Sequence, residues 1–127
     1  MEQLTDDPLI PDDEILYRRV SPDQITKPDG QNWRPSSQVF KTRQMSVRLA
    51  SLVSAEEVLE GHPGFGLVSF TAKIVREAGC IIARHRDDPI IGHALVCPNG
   101  NVDGRISNGI AHIILKSYVW IKLPEVA

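Results

Sequence analysis

CIIARHRDDPIIGHALVC, residues 80–97, decides how the chain is laid out. Two apolar runs, CIIARH and GHALVC, flank RDDPII, in which Pro89 keeps Asp88 extended, and the whole reads as two antiparallel strands joined by a turn. The register stays open. In one register His85 faces His93, and Asp87 adds a carboxylate to a three-ligand metal site or an acid/base pair. Slipped by one residue, Cys80 faces Cys97 and the histidines part company. No HExxH or CxxC spacing accompanies them, so no metal ligand is assigned. His93 is the preferred histidine, because a polar ring on an otherwise apolar strand needs a hydrogen-bond partner.

Toward the N-terminus, SFTAKIVREAG (69–79) offers Thr71 as a helix cap, Ile74, Val75 and Ala78 as an apolar stripe, and Gly79 as the stop. EGHPGFG (60–66) is read as a rigid turn between two helices or, alternatively, as a ligand lid carrying His62; its glycines lack the Lys-Ser/Thr of a phosphate-binding loop. In SAEEVLEG (54–61), Ser54 and Glu57 form a capping-box pair. MSVRLAS (45–51) alternates, with Met45, Val47 and Leu49 on one face and Ser46, Arg48 and Ala50 on the other. SSQVF (36–40) makes at most one helical turn, capped by Ser36 or Ser37. TKPDGQNWRPSS (26–37) is a long loop, and ILYRRV (15–20) is the first strand.

Toward the C-terminus, PNGNVDG (98–104) carries two turn signals. SNGIAHIILKS (107–117) fits a helix capped by Ser107 or a strand, and YVWIKL (118–123) alternates as a strand. About five mostly antiparallel strands with two or three short helices give an α+β class: an acidic flexible leader over 1–14 and a single small domain over 15–127.

The net charge of −2 conceals an asymmetry. Residues 1–14 hold six acids and no base, whereas Arg18 to Arg48 hold seven bases against Asp23 and Asp29. An anion or a protein partner suits that basic half; a pI near 6.0 argues against a duplex nucleic-acid binder. No apolar run of about 18 residues and no signal-peptide pattern appear, so the expected location is the cytoplasm, with Cys80 and Cys97 as buried thiols. Ser46, Ser69 and Ser107 sit in no nucleophile-elbow context, which argues against a hydrolase built on a serine triad.

The succession ILYRRV, DGQNWRPSSQVF, MSV and SAEEVLE resembles the opening of ADP-ribosyltransferase-type domains, especially the RES group, over residues 15–60. The resemblance implies an arginine of the first strand, Arg18 or Arg19, holding the pyrophosphate of NAD, as a bidentate guanidinium suits. It implies further that Trp33, Arg34 and Ser46 line the nicotinamide pocket. Trp33 and Arg34 stand in the reverse of the family's order, and no catalytic glutamate is identified on a later strand.

Two functions follow. One is a small cytoplasmic binding or regulatory module that uses Arg18, Arg19, Trp33, Arg34 and the HPGFG turn to contact a protein partner or an anionic ligand. The other is an NAD-consuming transferase or glycohydrolase, or less favourably a histidine metal site. The catalytic candidates are His62, His93 and Ser46.

Overall fold

Met45, Val47 and Leu49 are buried while Ser46 and Arg48 between them are half-buried, so the strand Met45–Leu49 (β4) presents two chemically different faces. β4 belongs to a six-stranded antiparallel sheet in the computed structural model, which describes residues 5–26, 33–84, 88–98 and 104–125. The other strands are Ile15–Val20 (β1), Gly66–Thr71 (β5), Cys80–Ala83 (β6), His93–Pro98 (β7) and Val119–Lys122 (β8), in the order β6-β7-β4-β1-β5-β8. Ile25–Thr26 (β2) and Arg34–Pro35 (β3) pair separately.

One face of the sheet carries the main core. Leu16, Val20, Met45, Val47, Val68, Phe70, Ile82 and Val96 pack there with Phe40, Val75, Ile106 and Ile114. The helices covering it are Ala72–Glu77 (α2) and Asn108–Leu115 (α3), together with a 3-10 turn at Ser37–Val39. Thr71 caps α2 by accepting from the Ile74 amide at 3.3 Å, and Ser107 caps α3 in the same way at Ile110. The helical alternative for residues 107–117 is therefore the one the chain adopts. The opposite face carries only a small cluster of Val53, Val58 and Leu67 beneath the helix Ala55–Leu59 (α1), whose Ser54–Glu57 capping box is complete.

The sheet has one strand more than the five expected. β5, read from sequence as turn and helix start, is buried along nearly its whole length because α2 lies on one side of it and α1 on the other. A strand covered on both faces shows no alternation, so its period gives no signal. Gly61 and Gly64 bend the chain into β5 with φ of 79° and 81°, which side chains rarely tolerate.

Residues 5–14, expected as a flexible leader, run past the β6 edge. The Asp7 amide donates to Ile82 O at 2.8 Å, Asp6 accepts from the Ile82 amide at 2.9 Å, and Ile10 is buried in the main core. Arg76 gathers Asp6, Asp12 and the carbonyls of Asp7 and Ile10. Asp6 and Asp12 thus meet Arg76 on α2, not the basic stretch between Arg18 and Arg48.

In the β6–β7 hairpin, Ile81 faces Cys97 and Ile82 faces Val96, so the register opposing Cys80 to Cys97 does not form. Both cysteines are buried free thiols. His85 and Asp87 lie outside the described residues, as does the metal site built on them. Among the described residues no group of three potential metal-binding side chains occurs, and no helix is long and apolar enough to cross a membrane.

Candidate active site

Directly opposed residues of antiparallel strands share a face. His93 faces Arg48, Arg48 faces Tyr17, and Tyr17 faces Ser69, so one row of polar side chains crosses four strands on the face away from the main core. Ser46 lies two residues from Arg48 along β4 and joins them. α1 and the turn at His62 form one wall over this face and Ile90 the other, enclosing a cleft of about 320 Å³. That is the small end of the range for small-molecule sites.

Three side chains form a chain of hydrogen bonds. Ser46 Oγ lies 2.6 Å from His93 Nε2, and the other ring nitrogen, Nδ1, meets Asp88 Oδ2. Asp88 is fixed by the turn, since its Oδ1 accepts from the Ile90 amide at 2.9 Å and Pro89 follows it. An ionised carboxylate only accepts, so Asp88 holds the ring proton on Nδ1. In the neutral ring, Nε2 is then left to accept from the Ser46 hydroxyl. Both His93 and Asp88 are largely withdrawn from water, at 18% and 15% side-chain exposure, which strengthens the pairing.

Cations crowd the same cleft. Arg48 donates through Nε to Ile91 O at 2.8 Å, and Arg19 donates through Nη1 to Val58 O at 3.0 Å. Burial and the neighbouring Arg48 charge lower the Arg19 pKa; burial and Arg19 likewise lower that of His62. Like charges held this close are relieved by an anion between them.

Arg18 also borders the cleft, but its guanidinium is engaged with the backbone. Nε and Nη2 donate to Val39 O and Nη1 to Ser46 O, at 3.2, 3.0 and 2.8 Å. Burial, with Arg19 nearby, brings its pKa down to about 10. Arg18 therefore anchors the main chain of Ser46 from the core side. Glu57 and Glu60 complete the rim.

The structure brings together Ser46, His62, His93, Arg18 and Arg19 of the candidates named from sequence. It separates Trp33 and Arg34 from them. Trp33 is half-buried, with its carbonyl accepting from Trp120 Nε1 at 3.1 Å, and Arg34 borders another groove with Ser36, His112 and Lys116. Asp88 and Arg48 were not singled out from sequence. The available signal for Asp88 was the Asp-Pro step before His93, and for Arg48 its place two residues from Ser46 on an alternating strand.

No family model, curated protein or solved structure matches the chain. Its chemistry rests on its own geometry, and that geometry combines a proton-carrying serine–histidine–aspartate chain with guanidinium groups.

Proposed function

We propose that the chain is an enzyme that binds a phosphate-bearing nucleotide of the NAD class in this cleft and cleaves it with His93 as the proton carrier. The observation that carries the proposal is the Ser46–His93–Asp88 chain standing beside Arg19 and Arg48. The two arginines suit a pyrophosphate. The nucleotide class comes from the resemblance to ADP-ribosyltransferase-type domains, with His93 as the group beside Ser46 where no glutamate is found.

In the reaction, a water bound at Ser46 Oγ attacks the ribose carbon that bears nicotinamide. The ring leaves with the bonding electron pair and needs no proton, because it was cationic. The water's proton passes through the serine hydroxyl to Nε2, and Asp88 stabilises the resulting imidazolium. A cleft of about 320 Å³ takes one end of a dinucleotide and leaves the other in solvent. The free thiols Cys80 and Cys97 suit the reducing cytoplasm.

A second reading, an anion-binding regulatory module without turnover, is favoured by the mutual charge crowding of Arg19 and Arg48, which serves binding alone. Thermal melting with NAD and ADP-ribose, together with chromatography of released nicotinamide, tests both. A ligand at about 100 times its Kd adds about 2.7 kcal/mol of stability. A melting shift with nicotinamide release that Ser46→Ala and His93→Ala abolish supports the enzyme. A shift without release supports the module, and no shift with either compound overturns the cleft as a nucleotide site.

A further inference from the structure

The two edges of the sheet are treated differently. At β6 the leader residues Asp6 and Asp7 hydrogen-bond to Ile82 and cover the edge. At the other edge, among the described residues, β8 has a sheet neighbour, β5, on one side only. β8 also carries exposed apolar side chains: Val119 and Ile121 are 58% and 45% exposed, and Leu123 just past its end is 55% exposed. An edge strand bearing large apolar residues is a site for strand addition.

A groove of about 710 Å³ runs between this edge and α1. Ile121 and Leu59 supply its apolar surface. Glu56, Glu57 and Glu60 line it, and among the described residues Lys122 is the one base that does. The β5–β8 register shifts between Leu67 and Val68, so Leu67 faces Lys122 while Val68 faces Trp120. Ile121 is the extra residue of that bulge, and it lines the groove with Lys122 beside it.

We propose that the α1–β8 groove docks an extended segment of a partner protein, with apolar residues at alternate positions and lysine or arginine between them. Charge selects this occupant: three carboxylates against one ammonium favour a cationic chain, and Ile121 with Leu59 and Ala55 takes the apolar side chains between its cations.

The probe is a fluorescein-labelled peptide of four Lys-Val repeats, with four Glu-Val repeats as control, read by anisotropy and by amide chemical shifts of the whole protein. The Lys-Val peptide is expected to bind saturably and to move the amides of 119–123 and of α1, while Glu-Val does not bind. Glu56→Lys weakens binding about fivefold, more at low salt. Ile121→Asp weakens it about tenfold or more. Both side chains are exposed, and an unchanged amide spectrum away from the groove establishes that each variant is folded. Equal binding of both peptides, no binding, or shifts confined to the Ser46 cleft overturns the proposal. So does a concentration-dependent dimer that Ile121→Asp disperses, because the groove then belongs to a second copy of this chain.

Discussion

Ser46 and His93 stand on paired strands two residues out of register, with His93 opposed to Arg48, and that diagonal brings Oγ and Nε2 to 2.6 Å. Side chains of diagonal neighbours on one face reach each other when one of them is long. The contact therefore comes from the sheet itself, and the turn at Pro89 adds only the carboxylate.

Replacing Asp88 by Asn removes the acceptor that holds the Nδ1 proton, so the ring can turn to the other tautomer. Nicotinamide release is expected to fall about a hundredfold to ten-thousandfold while the NAD-induced melting shift persists. Steady-state release together with melting curves for Asp88→Asn checks this.

Arg48→Ala and Arg18→Ala are expected to differ in kind. Arg48 borders the cleft and spends one bond on Ile91, so its loss weakens nucleotide binding and flattens the salt dependence of Kd, with little change in stability. Arg18 closes three bonds to the Val39 and Ser46 carbonyls, so its loss costs about 1–3 kcal/mol of stability in a ligand-free urea titration.

Gly66 sits where β5 meets the chain after β8. A Cβ there would lie 2.7 Å from Pro124 Cδ and 2.9 Å from Lys122 O. Gly66→Ala is expected to destabilise the fold by about 1–3 kcal/mol, measured by urea unfolding, with amide shifts concentrated in β8.

Burial, with Cys97 beside it, pushes the Cys80 thiol up to about 11. The folded chain keeps this proton after the unfolded chain has lost it. The resulting stabilisation is complete below about 9 and is lost as pH rises from there to about 11. Cys80→Ala should flatten that part of a stability-versus-pH curve, and iodoacetamide should label native Cys80 slowly at pH 8.

Where one face met the core and the other met solvent, the pattern in the sequence was legible. β1, β4, the β6–β7 hairpin and the caps Ser54, Thr71 and Ser107 all appear where local chemistry placed them. β5 was hidden because it is covered on both sides. The leader looked too polar to pack, yet Arg76, 64 to 70 residues away, holds the carboxylates of Asp6 and Asp12, and no local pattern announces such a partner. The site was half legible for the same reason. Ser46, His62 and His93 carried recognisable chemistry, but the diagonal that joins Ser46 to His93 depends on β4 pairing with β7, 47 residues on. Arg34 looked equivalent to Arg19 in a charge count; only the chain path separates them.

α1 packs through Ala55, Val58 and Leu59 on a small cluster with Val53, Leu67 and Tyr17, whereas the strands bearing Ser46 and His93 lie over the main core. The two sides of the cleft therefore differ in mechanical stiffness. On the proposed function, that contrast lets the glutamate-bearing side yield to an entering nucleotide at lower cost than the strands that carry Ser46 and His93.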